Sequence, residues 1–183
     1  MNEPLTDSDI MRCFDNKLNL FTYSDIHKFN SIDELLGRYK RCIVLFLNKE
    51  NYGHWTCLFL NKERGQEVLH FFNSYGDLGK KEFDGYPDSF LKYINKSFRD
   101  KSNQNYPYLT ELMINSPYEL EYNDIQYQKL SDDIKTCGYW CVFRLQYASM
   151  NDEEFERFIK SNCKNWKMSP DKFIVTIYEK SKH

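Results

Sequence analysis

The sequence predicts an α+β domain: a central, mostly antiparallel sheet flanked by helices. Two observations point that way. Three apolar runs follow one another closely, Cys42–Leu47, His54–Leu60 and Glu67–Asn73, joined by polar stretches that contain Gly53 and Gly65. Runs of this length bounded by polar, glycine-bearing loops read as strands linked by hairpins. Segments whose apolar residues recur at helical spacing lie before and after these runs. A chain of 183 residues without an internal repeat, a low-complexity tract or a linker is expected to form a single domain over residues 1–183.

In order along the chain, residues 6–17 read as helix. Thr6 or Asp7 caps it, Ile10, Met11 and Phe14 fall on one face, and neither Pro nor Gly interrupts. Asp25–Phe29 reads as one short helical turn. Ser31 and Glu34 fit a capping box before an apolar stripe of Leu35, Leu36 and Tyr39, with the helix ending near Tyr39. Cys42–Leu47 is continuously hydrophobic, as in a strand covered on both faces. Ser74-Tyr75-Gly76-Asp77 breaks the third strand. Pro87 to about Lys101 reads as helix, with Phe90, Ile94 and Phe98 four apart. Residues 102–118 read as irregular except around Leu109–Ile114, and Tyr122–Gln128 as a fourth strand. Thr136–Leu145 reads as a buried helix, and two more follow at Asp152 to about Ser161 and at Pro170 to about Lys180 after the cap Ser169.

Composition narrows the function. The net charge is −2, which gives no case for nucleic-acid binding. The N-terminal residues lack a basic region followed by an apolar run, and no apolar run approaches a membrane span, so an intracellular setting with six reduced cysteines is expected. No paired CxxC motif occurs, and no cofactor or metal is expected. Chemistry therefore concentrates on Cys137. It opens the Thr136–Leu145 helix, where unpaired N–H groups and the positive dipole end favour thiolate over thiol. Gly138 leaves space beside the sulfur for a substrate backbone. A core helix that merely contains Cys137 and Cys141 is the plainer reading of that stretch alone.

A cysteine nucleophile needs a base and a group that orients the base. His54 opens the second strand directly after Gly53, and Asn73 ends the third. Antiparallel pairing brings the beginning of one strand beside the end of the other, so Asn73 should lie near His54 and set its tautomer, while His70 sits further along the sheet facing a helix or solvent. Asn73 followed by Ser74 and Gly76 is also ordinary turn chemistry.

Gly53-His54-Trp55, Phe72-Asn73-Ser74-Tyr75-Gly76, a Gln, and Cys137-Gly138-Tyr139-Trp140-Cys141 stand in that order. This set resembles the cysteine-protease superfamily that contains adenain, the adenovirus maturation protease, and the SUMO- and NEDD8-specific proteases; the resemblance covers about residues 42–148. It implies the fold of that superfamily and a thiol endopeptidase acting on viral capsid or virion precursors, in host cytoplasm or virion. Removal of a SUMO-type modifier, acyl transfer on the same fold and a non-catalytic binding module are the other readings. By this resemblance Cys137 is the nucleophile, His54 the base, Asn73 the orienting residue and Gln128 the oxyanion donor. The family usually has an acidic residue where Asn73 stands, with Asp77 as the alternative here. Gln128 lies further from the cysteine than usual, with Gln126 in reserve. The implied partner is a protein or peptide substrate with Gly near the scissile bond. No membrane partner is implied, and a peptide or nucleic-acid activator stays open. Trp55 reads either as a screen beside the imidazole or as plain core, and Cys141 is expected to face the core.

Overall fold

A computed structural model describes residues 3–49, 52–76, 101–131 and 133–181. The sheet has five strands in sequential order: β1 (Asn19–Thr22), β2 (Arg41–Lys49), β3 (Tyr52–Glu63), β4 (Gln66–Phe72) and β5 (Glu119–Tyr122). Its centre is antiparallel, β2 against β3 and β3 against β4, as the three apolar runs predict. Its two edges are parallel: β1 pairs with β2, and β5 with β4. The α+β class holds.

Helices cover both faces. On one side lie α1 (Asp7–Arg12), α4 (Cys137–Gln146), α5 (Asp152–Trp166) and α6 (Pro170–Ser181), whose Ile10, Trp140, Phe155 and Phe173 meet Ile43, Trp55, Cys57 and Phe59 of the sheet. On the other lie α2 (Ile32–Leu36), α3 (Tyr108–Ile114) and a 3₁₀ turn over Tyr23–Lys28, which bury Ile32, Leu35, Leu109 and Ile26 against Val44, Phe46, Leu58 and Phe71. The central strands are therefore enclosed twice over, and their apolar runs need no polar alternation.

Local signals set the helix starts. Thr6 and Asp9 form a capping box on α1. The Ser31 hydroxyl accepts from Glu34 N–H at 3.1 Å, but the Glu34 carboxylate reaches back to Asn30 N–H instead of closing the box on Ser31. Asn151 and Glu154 close a full box on α5, which runs on to Trp166, five residues beyond the expected end. α1 stops at Arg12, well short of residue 17, because Asp15 and Asn16 adopt left-handed φ of 52° and 59°.

Two expectations are corrected. Strand β1 was not foreseen in the sequence, being short and held through long-range parallel pairing to β2. The fourth strand ends at Tyr122, where it was expected to begin: residues 123–128 leave the ladder, and Tyr127 N–H and Gln128 N–H both donate to Ser74 O at 2.9 Å. Most of the expected helix from Pro87 to Lys101, and Asp77, lie outside the described residues.

Candidate functional site

The site is assembled at one end of the central hairpin. His54 lies near the start of β3, opposite Phe46 of β2. Its glycine neighbour is required there: a Cβ on Gly53 would stand 1.9 Å from the Phe46 carbonyl oxygen, so only glycine lets β2 come so close. The pairing of Cys57 with Phe72 fixes the register, and the chain past β4 brings Asn73 and Tyr75 back alongside Thr56 and His54.

The expected neighbourhood of His54 and Asn73 is found. Asn73 Oδ1 accepts from His54 Nε2 at 2.8 Å and from Tyr75 N–H at 3.0 Å. Two donors on one atom identify that atom as the amide oxygen, since an NH₂ group could not accept either. The imidazole therefore carries its proton on Nε2, which leaves Nδ1 as the basic nitrogen. His54 is 2% exposed. Burial drives its pKa down to about 4, against an upward pull from the Asn73 bond. It is neutral near pH 7.

The ring stacked on His54 belongs to Tyr75, with centroids 4.3 Å apart and planes at 17°. Trp55 does not take that place; it is buried in the core and packs towards Gly138. Nothing in the residue pattern marks Tyr75 as functional; the β3–β4 register is the signal that places it opposite His54.

The turn carrying Asn73 is stitched to the segment after β5. Asn123 clamps the Asn73 backbone from both sides: its Oδ1 accepts from Asn73 N–H at 2.9 Å and its Nδ2 donates to Asn73 O at 2.7 Å. Gly76 takes a φ of 78° directly against the Ile125–Gln126 backbone, where a Cβ would come within 2.4 Å. Gln128 is held in the same seam and is buried. Its Oε1 accepts from Ser74 Oγ at 2.7 Å, and its Nε2 donates to Ile134 O at 3.0 Å and lies 3.4 Å from the Tyr75 hydroxyl. Gln126 donates instead to the Gln128 carbonyl at 2.9 Å, which ties it to backbone.

Cys137 is the first residue of α4 and is 7% exposed. Backbone N–H groups of Trp55, Gly138 and Cys137 itself point at its sulfur and favour thiolate, but burial outweighs them and raises the thiol pKa. The helix-end stabilisation expected from sequence is thus present but is not the dominant effect. The Trp55 contact seats the thiol against the residue next to His54. The space beside Gly138 is filled by this chain: a Cβ there would lie 3.1 Å from the Leu5 side chain and 3.3 Å from Trp55. Cys141, one turn on, is fully buried against Cys57.

The start of α4 is fixed from α6. Asp171, buried, accepts on Oδ1 from the Thr136 hydroxyl and from Trp140 Nε1 at 3.2 Å, and on Oδ2 from Lys129 N–H at 2.9 Å. One carboxylate thus joins the residue before Cys137 to the residue after Gln128.

The fold is a mixed α+β domain in which the His54 imidazole rests on the Asn73 amide near one end of the sheet, and the Cys137 thiol at a helix start lies against the N–H of Trp55, the next residue along the strand. No family profile matches the chain. It is 42% identical over 173 residues to uncharacterized protein V9 of Sputnik virophage, covering 94% of this chain and 93% of that protein, and it belongs to the same family. Crystal structures of the ASFV pS273R protease show a distant likeness, with TM-scores of 0.42 and 0.41 at 13% and 12% identity; each match covers 80% of this chain, which spans just under three-fifths of the solved chain. Among the described residues, no helix is long and apolar enough to cross a membrane.

Proposed function

We propose that this protein is a cysteine endopeptidase that cleaves viral precursor proteins. The observation that carries the reading is a tautomer-fixed imidazole, His54 on Asn73 Oδ1, one residue along the strand from the Trp55 N–H that points at the Cys137 sulfur. Membership in a family with a virophage protein favours a virion substrate.

His54 Nδ1 takes the Sγ proton of Cys137 as the sulfur attacks a peptide carbonyl. Both groups rest neutral because burial disfavours their charged forms, so the proton moves as the substrate engages. The oxyanion receives the Cys137 N–H and the Gln128 amide, whose long contact to Tyr75 is the one a substrate oxygen would replace. The imidazolium protonates the leaving amine, the peptide N-terminal to the break stays on sulfur as a thioester, and water releases it with His54 again as base. Asn73 keeps the ring in place throughout. Entry of a substrate chain beside the sulfur requires Leu5 to move from Gly138. Glycine near the scissile bond suits such a confined approach.

The test is cleavage of peptides spanning the virion proteins, read by mass spectrometry. Cys137→Ala should abolish cleavage and Cys141→Ala should keep most of it. Gln128→Ala should lower turnover by roughly 10²-fold, the usual cost of losing one oxyanion donor. Loss of cleavage in Cys141→Ala with retention in Cys137→Ala would overturn the assignment. Acetyl-CoA turnover or SUMO cleavage without virion-peptide cleavage would replace it.

A further inference from the structure

A second cluster of chemistry-bearing groups lies further along the sheet. His70, in β4, is 1% exposed and stands opposite Glu121 of β5. Its ring lies flat on Phe59, with planes 3° apart. On one edge, Nε2 meets Glu63 Oε1 at 2.6 Å. On the other edge, Nδ1 is buried and makes no hydrogen bond, yet it faces two carboxylate oxygens, Asp152 Oδ1 at 3.4 Å and Glu121 Oε2 at 3.9 Å. Asp152 is the first residue of α5 and also pairs at 2.9 Å with the fully buried Arg144.

We infer that His70, Asp152 and Glu121 form a binding site for a divalent cation of the zinc type, with His70 Nδ1 as the nitrogen ligand. Three features carry it. The first is the orphaned nitrogen: buried Nδ1 makes no hydrogen bond while it faces two carboxylate oxygens, an arrangement that leaves room for a positive charge between them. The second is spacing. Ligand atoms at zinc-like bond lengths of about 2.0–2.2 Å are separated in a tetrahedron by about 3.3–3.6 Å. The Asp152 oxygen is already at that separation from Nδ1, and the Glu121 oxygen is a few tenths of an ångström beyond. The third is the Glu63 bond. A metal-bound imidazole characteristically donates its other N–H to a carboxylate, which fixes the tautomer and leaves the opposite nitrogen free to ligate. Glu63 takes that place.

Charge balance agrees. Glu63, Glu121 and Asp152 gather three carboxylates around one guanidinium, that of Arg144, and a dication cancels the excess. The site would tie β4 and β5 to the start of α5. The cysteine and histidine spacings that reveal thiolate zinc sites are blind to it, because three of the four groups are carboxylates on separate elements.

The probe is zinc, then cobalt, added to the chelator-stripped full chain. Binding is read by calorimetry and ligand type by the cobalt spectrum. One equivalent should bind with a spectrum of nitrogen and oxygen ligands, and it should raise the melting temperature. Glu121→Gln removes one ligand at a half-exposed position; it should weaken binding at least tenfold while leaving the metal-free melting temperature near that of the parent. His70→Gln should abolish this binding. A thiolate charge-transfer band as the only signal, binding unchanged in both variants, or no binding at millimolar zinc would each overturn the site.

Discussion

Asn73 joins His54, Tyr75 and Asn123 through its side chain and its own backbone N–H and C=O. Its Oδ1 is doubly used, yet among the described residues its Nδ2 is buried without a hydrogen-bond partner. A stranded donor of this kind costs about 1–3 kcal/mol. Asn73→Asp keeps the acceptor to His54, removes the stranded NH₂ and adds a negative charge beside the ring. The His54 pKa should rise from about 4 by roughly 1–3 units, because an adjacent carboxylate favours imidazolium. Imidazole resonances followed by NMR against pH would show it, and an unmoved titration would mean that Oδ1 orients the ring without controlling its charge. His54 and Asn73 were legible as neighbours because hairpin register follows from two apolar runs and the glycine-bearing loop between them. Asn123 was not, because its partners are the backbone N–H and C=O of Asn73, and backbone groups leave no mark on side-chain sequence.

The same contrast holds for whole elements. Helices α2, α5 and α6 were readable from caps and periodicity, both local properties. The segment after Tyr122 was misread because its N–H groups go to Ser74 O, and apolar patterning does not distinguish a ladder from such a seam. Nor does the sequence of α4 say what holds its first turn: Thr136 makes no cap bond of its own, and the support arrives from Asp171 in α6. Asp171 serves three donors with two oxygens. Asp171→Asn can satisfy donors at only one of those positions and turns an NH₂ group towards another N–H. We expect a loss of about 1–3 kcal/mol in urea unfolding, seen as a lower midpoint at unchanged slope. An unchanged midpoint would show that the three bonds are readily exchanged for water.

For the whole molecule, the enclosure of the sheet between two helical layers buries titratable groups whose charged forms water would otherwise stabilise, and this sets a pH window for folding. His54 drops from an ordinary value of 6.5 to about 4 on folding. The unfolded chain therefore binds this proton more readily than the folded one. Its contribution is fully present above pH 6.5 and is lost as pH falls towards 4, by an amount on the order of 3 kcal/mol. Cys42, Cys137 and Cys141 shift the opposite way: burial raises each thiol, so the folded state holds the proton and stability declines once pH rises past the ordinary thiol value of 9. Stability should accordingly be greatest between these limits. Urea unfolding from pH 4 to 8 tests the acid side, with His54→Gln as the reference. As pH falls from 8 to 4 the parent should lose stability more steeply than the variant, and the difference between the two curves should be flat above pH 6.5. Parallel curves would mean that water reaches the imidazole, and with it that the neutral resting pair proposed for His54 and Cys137 does not hold.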